Sequence, residues 1–204
     1  MLNVATNDEQ LRIRIHHIGG IGESGPVEVL GRLGHVEWVF YDAQAESLSS
    51  VRVPGNLYRL VQRAIGGTNS AAKFHVTEWP SASSLLKPSL DAEKYTMILE
   101  DNRAQTWGRH TKIVNSIDLR VSTLDTLAQN NEVPPVDFLS IDAQGAELSI
   151  LEGASSFLKE RIIGVLCEVE FTELYEKQPL FCDIQDRLRQ DHFRVCEIYN
   201  PQYF

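Results

Sequence analysis

The chain's 204 residues and 23.0 kDa suit one domain with room for a core, and its 43% hydrophobic and 23% charged content excludes a disordered tail, a collagen-like fibre and a disulfide-stapled miniature. Lys and Arg number 19 against 28 Asp and Glu, a net charge of −9 with a pI near 5.1. That balance opposes nucleic acid or an anionic membrane as partner, since phosphate contact needs a basic surplus.

Three cysteines, Cys167, Cys182 and Cys196, form no CxxC pair and read as reduced thiols, with Cys167 and Cys196 in the core. No apolar run reaches the ~18 residues of a membrane span. The start, MLNVATNDEQ, has neither the basic nor the apolar segment of a signal peptide. The expectation is a soluble, cytoplasmic protein forming one domain over residues 1–204.

In chain order, LRIRIHHI (11–18) alternates Leu11, Ile13 and Ile15 against Arg12, Arg14 and His16, a strand. A glycine-rich turn, Gly19 to Gly25, leads to Pro26 and a short helix weakened by Gly31 and Gly34. VEWVFY (36–41) is a second strand ending at Asp42, and YRLVQRAI (58–65) a third that stops at Gly66-Gly67. KFHVTE (73–78) reads as a strand, residues 79–89 as an irregular loop, and YTMILE and IVNSIDLRV as strand pieces. STLDTLAQ (122–129) is a helix capped by Ser122 or Thr123.

The last third is the most regular. VDFLSID (136–142) is an apolar strand bounded by Pro135 and the polar Asp142-Ala143-Gln144-Gly145. AELSILEGASSFLKE follows as an amphipathic helix, IIGVLCEVEF (162–171) as a core strand, FCDIQDRLRQ (181–190) as a helix and FRVCEIY (193–199) as a last strand. Alternating strands and helices predict an α/β, Rossmann-like domain: a mostly parallel central sheet with helices on both faces.

Gly20-Ile21-Gly22-Glu23-Ser24-Gly25 fits GxGxxG after a strand and before a helical segment. Glycine permits φ > 0 and close approach of a ligand. Asp42, about 20 residues on, stands where a carboxylate accepts from ribose hydroxyls. This constellation, with Gly19, Gly20, Gly22 and Asp42 as candidate cofactor contacts, suits a dinucleotide or the adenosyl part of S-adenosylmethionine. Glu23 would face a dinucleotide's pyrophosphate, whereas a sulfonium ligand carries no such anion.

Over residues 121–199 the sequence resembles the FkbM-type family of S-adenosylmethionine-dependent methyltransferases. Thr123-Leu124-Asp125, Asp142-Ala143-Gln144-Gly145-Ala146-Glu147, Glu168 and Leu174-Tyr175 carry the resemblance in order and spacing. It implies a class I methyltransferase fold, with the cofactor half at about 11–90 and S-adenosylmethionine as cofactor. It also extends cofactor contact to Ile65, Ser84 and Asp142, through the Ala64-Ile65 strand end and the Ser81–Leu85 loop. Two positions depart from the family pattern. His16-His17 stands where an acidic residue usually precedes the glycine turn, and Asp42-Ala43 keeps the acid but not the proline of an acidic-proline step. The chain reaches PQYF soon after its sixth expected strand, so the expectation is that either the final strand of such a sheet is missing here or Tyr203-Phe204 belong to a longer protein.

Methyl transfer to a hydroxyl needs in-line alignment and removal of a proton. Asp142 and Glu147 bracket the glycine turn, so either is a candidate base, or the pair a holder of a divalent metal. Glu147 equally suits the first turn of its helix, where the dipole favours a carboxylate. Glu168 ends an apolar strand, as a cleft residue or a solvated strand end, and Glu170 is the blander of the two. His16 and His17 read as base, ligand or structural residues. His75, His110 and His192 lack zinc spacing. Trp79 is a lid or acceptor wall, or part of a packed loop, and Tyr175 stacks on substrate or caps its loop.

The expected activity is O-methylation of a small metabolite, glycan or polyketide-like acceptor. Two rivals stand beside it: an NAD(P)-binding oxidoreductase, for which no YxxxK is present, and a non-catalytic methyltransferase-like binding module. An unfinished sheet edge invites pairing into a homo-oligomer.

Overall fold

A computed structural model describes residues 12–19, 35–44, 57–98 and 104–198. Gly20, Gly22, the rest of the GxGxxG turn and the helix expected after Pro26 lie outside the described residues.

Five parallel strands form the main sheet: β1 (Ile13–Gly19), β2 (Val36–Asp42), β3 (Leu57–Gln62), β9 (Phe138–Asp142) and β10 (Gly164–Cys167), in the order β10-β9-β1-β2-β3. The chain winds outward from β1 to β3, then returns to lay β9 against the other side of β1. Strand order therefore reverses between β1 and β9. In an open parallel sheet that reversal opens a crevice at the carboxyl ends of the strands.

Period-2 alternation sends Ile18, Val39, Tyr41, Leu139 and Ile141 to one face. There they pack against α2 (Leu124–Gln129), α3 (Glu147–Glu152), α4 (Ser155–Glu160) and α5 (Phe181–Gln190) through Leu124, Leu127, Ile150, Leu151, Leu158 and Ile184. Ile15, Val36, Trp38 and Phe40 form a second cluster with Phe138. Coverage of both faces is why β2 reads as a nearly unbroken apolar run. The polar exception is Glu37, 4% exposed, whose carboxylate takes Arg59 Nε at 2.7 Å and Arg14 Nε at 3.1 Å. Burial works against its charge, but the two guanidinium bonds prevail and hold the carboxyl below its usual range.

Between β3 and β9 the chain builds a three-stranded sheet, β4-β8-β5, from β4 (Ala64–Ile65), β5 (Ser70–Thr77) and β8 (Ile113–Ser122). It also builds a short ribbon, β6 (Thr96–Ile98) with β7 (Ala104–Thr106), and a helical turn α1 (Trp107–His110). The single strand expected at 58–65 is thus two, because the chain leaves one sheet at Arg63, whose N–H bonds to Asp42 O, and joins another at Ala64.

The long helix expected after Gln144 is also two. Gly153 breaks it where the backbone lies against Gly66 and Gly67, so close that a Cβ on Gly153 would stand 2.1 Å from Gly66 O. Asp125 then receives Ser156 N–H at 2.9 Å and starts α4, while Thr123, not Ser122, caps α2 by accepting from Thr126 N–H. Residues 193–198 form no strand and their Val195, Cys196 and Ile198 are exposed, which corrects the last expected strand and the core assignment of Cys196. Among the described residues no sheet edge hydrogen-bonds to that segment.

Candidate active site at the strand-order reversal

Register places four residues side by side on the carboxyl edge of the sheet. Gly19, the last residue of β1, pairs with Asp142, the last of β9. Asp42 ends β2 one step past the Ile18–Tyr41 pair, and Glu168 follows β10, its N–H bonded to Ile141 O at 2.9 Å. Asp42, Gly19, Asp142 and Glu168 thus occupy adjacent strand ends, spaced roughly 4.8 Å from one strand to the next.

The turn after β9 presents Asp142. Gln144 and Gly145 both have positive φ, 52° and 96°, so the chain reverses within two residues. Glu147, 4% exposed, closes this turn: its Oε1 accepts Ala143 N–H at 2.9 Å and Gly145 N–H at 3.1 Å. Burial raises the Glu147 carboxyl above its ordinary range, against the pull of those N–H groups. Glu147→Ala would leave two turn N–H groups without an acceptor. We expect it to cost about 2–4 kcal/mol, seen as a lower melting temperature, while Glu147→Gln, which keeps an oxygen there, costs less.

Gln144 is the hub. Its Nε2 donates to Asp142 Oδ1 at 2.8 Å and to Glu168 Oε2 at 3.0 Å, while its Oε1 accepts from Tyr175 O–H at 3.1 Å. Its backbone carbonyl takes the buried Ser84 hydroxyl at 2.6 Å. Tyr175 O–H is shared with Ala82 O at 2.9 Å, and Gln178 Oε1 fixes the Tyr175 loop by accepting Leu174 and Tyr175 N–H. The loop at 79–84 and the segment at 174–178 therefore clamp the turn from two sides.

Glu168 opens to solvent along the crevice, yet the protein packed about it, then the Asp142 carboxylate, push its carboxyl up to about 10. That shift favours the protonated form of Glu168 beside Asp142. Glu170 is also raised by burial.

The structure brings Gly19, Asp42, Asp142 and Glu168 together and sets Ser84 and Glu147 behind them as braces of the turn. Ile65 is 3% exposed within the main apolar cluster. His16 bonds Tyr41 O–H at 2.8 Å, and burial drives its pKa to about 3, so it stays neutral and structural. His17, also buried, meets Ser140 Oγ at 2.9 Å. Gln144 and Gln178 were not singled out from sequence. The polar Asp-x-Gln-Gly run was the available signal for the first, and the second left none. Among the described residues no group of three or more His, Cys, Asp or Glu side chains is placed to hold a metal ion, and no helix is long and apolar enough to cross a membrane.

This edge is acidic at three of its four positions, a setting for a cationic ligand rather than a pyrophosphate. In comparison with known families, the methyltransferase FkbM domain matches residues 24–195. The chain belongs to the FkbM methyltransferase family. No curated protein and no solved structure matches it. The fold bears out the Rossmann-like expectation, and the family assignment bears out the resemblance read from residues 121–199.

The family's motif residues acquire physical reasons in this chain. Thr123 caps α2, Leu124 is fully buried, Asp125 accepts at the start of α4, and Tyr175 is 1% exposed against the turn that carries Asp142.

Proposed function

We propose that this FkbM methyltransferase takes its methyl group from S-adenosylmethionine and places it on a hydroxyl of a small metabolite, glycan or polyketide-like acceptor. The observation that carries the reading is the row Asp42–Gly19–Asp142–Glu168 along the carboxyl edge at the strand-order reversal. Its donor set fits the cofactor: Asp42 suits ribose hydroxyls, Gly19 removes a side chain from the crevice floor, and the carboxylates favour a cationic ligand over an anionic one.

S-Adenosylmethionine supplies an electrophilic methyl group when bound. The protein's part is to orient and to move a proton. Asp142 accepts the acceptor hydroxyl's proton, and Gln144 holds both carboxyls in place through one amide. Ser84, Glu147 and Tyr175 act through that turn as positioning residues.

Thermal unfolding in separate wells with S-adenosylhomocysteine, S-adenosylmethionine, NAD and NADP tests the cofactor. A ligand at ~100 times its dissociation constant adds ~2.7 kcal/mol, roughly 5–10 °C for a domain of this size. We expect that shift with the two adenosyl ligands alone. A shift with NAD or NADP alone would overturn the reading. Hydroxyl acceptors are then found by S-adenosylhomocysteine release.

A further inference from the structure

We propose that Gln44 is a cofactor-contacting residue of this site: its side-chain amide donates to the sugar edge of the adenosine whose ribose hydroxyls Asp42 holds. The inference rests on the S-adenosylmethionine reading and gives it a second contact, from a residue that neither the glycine turn nor the family's motif residues include.

Four buried side-chain polar atoms among the described residues have no hydrogen-bond partner: His16 Nε2, Trp38 Nε1, His110 Nδ1 and Gln44 Nε2. A buried donor left unmet is unfavourable, and native structures keep few of them. Three of the four are single ring nitrogens on side chains that other contacts place. His16 bonds Tyr41 O–H through Nδ1, Trp38 stacks on Phe40, and His110 lies between Trp79 and Trp107. Gln44 has no such explanation. A primary amide carries two donor hydrogens and is a poor filler of apolar space.

Its position supplies the reason. Gln44 stands two residues past Asp42, the last residue of β2. The chain beyond that strand end borders the crevice in which an open parallel sheet binds ligands. Asp42 Oδ1 accepts Gln44 N–H at 2.7 Å, which folds the Gln44 backbone back over the carboxylate. A ligand bound to that carboxylate therefore lies within the span of the Gln44 side chain. The residue as a whole is half-buried, and with Nε2 unbonded the amide is free to turn about its single bonds toward such a ligand.

The two side chains are chemically complementary. A carboxylate only accepts, so Asp42 takes hydroxyl hydrogens from the ribose and gives none back. The acceptors left on the same edge of adenosine, the ribose 2′ oxygen and adenine N3, need an N–H donor. The Gln44 amide is one. This contact is made equally before and during methyl transfer, so it acts on cofactor affinity and not on the chemical step.

Isothermal titration with S-adenosylhomocysteine and with 5′-methylthioadenosine tests the contact, since the two share the adenosine and differ at the amino-acid end. Gln44→Met keeps the length of the side chain and removes the amide. It should weaken both ligands by the same roughly 2- to 12-fold, the range equivalent to one hydrogen bond. Without ligand the same variant should melt roughly 2–6 °C above wild type, because the unmet donor is gone. Gln44→Ala should show the same loss of affinity without that gain in melting temperature.

A Gln44→Met protein that melts below wild type without ligand would make Gln44 a structural residue and overturn the proposal. Unchanged affinity in both variants would remove Gln44 from the site, and a loss confined to S-adenosylhomocysteine would overturn the assignment to adenosine. Failure of wild type to bind either ligand would fall on the S-adenosylmethionine reading itself, whereas binding by wild type with unchanged variants falls on Gln44 alone.

Discussion

Asp142→Asn is expected to lower kcat for methyl transfer by about 10²- to 10⁴-fold, the range that removal of a general base produces. Asparagine keeps an Oδ1 to accept from Gln144 Nε2, so the turn at Ala143–Gly145 and the affinity for S-adenosylhomocysteine should hold within about threefold of wild type. What the substitution removes is the charge. Its loss also acts on Glu168, whose raised pKa owes part of its height to the Asp142 carboxylate. In the variant the Glu168 carboxyl should fall back and give up its proton closer to neutrality. Residual turnover should therefore rise with pH as Glu168 ionises, and Asp142→Asn/Glu168→Gln should lose that rise. Wild-type turnover in Asp142→Asn, with an acceptor found by the release screen, would remove Asp142 from the mechanism.

The sequence was most legible where local and tertiary signals agreed. The apolar run before Asp142 has to be a buried parallel strand, and Thr123 ahead of an apolar helix has to be a cap; both are so. Legibility failed where a partner distant in sequence decides. Arg63 hands the chain from one sheet to the other because Asp42 O and β8 happen to lie on either side of it, and no pattern within 58–65 records that. Gly153 ends a helix because Gly66 O is beneath it, a contact 87 residues away in the chain. Residues 193–198 are apolar enough for a strand, but among the described residues no edge pairs with them, and a strand without a partner makes no sheet.

The site divides in the same way. Asp142 and Glu168 stood out as carboxylates at the ends of apolar strands, and register then set them side by side. The role of Glu147 was open between base and helix start, and its bonds to Ala143 and Gly145 N–H make it the fastener of the turn. The contact of Trp79, His110, Trp107 and Tyr175 was invisible from sequence, since these four rings come from three separate segments and meet only in the folded chain.

The largest effect on stability is expected at Gly19. Its φ of +79° is a conformation that L side chains adopt at a cost of roughly 1–2 kcal/mol. A Cβ built there would stand 2.0 Å from Asp142 O and 2.9 Å from Asp142 C, and both are backbone atoms that no rotamer change can move. Gly19→Ala must therefore spread β1 from β9 at their last pair or displace the turn that presents Asp142. We expect a loss above about 3 kcal/mol, a fall in melting temperature of roughly 6–12 °C. Turnover measured below the new melting point should drop as well, since a misplacement of about 1 Å at a reacting group costs on the order of 10²-fold. Gly164→Ala is the matched control. It lies on the same sheet, but its Cβ would meet the ring of Phe138, at 2.7 Å from Cε1, a side chain that can turn aside. Its cost should stay within the about 1–3 kcal/mol of overpacking, and turnover should be kept. If Gly19→Ala melts within about 2 °C of wild type, β1 and β9 do not meet as closely as the Gly19–Asp142 pairing requires. The crevice would then need another floor.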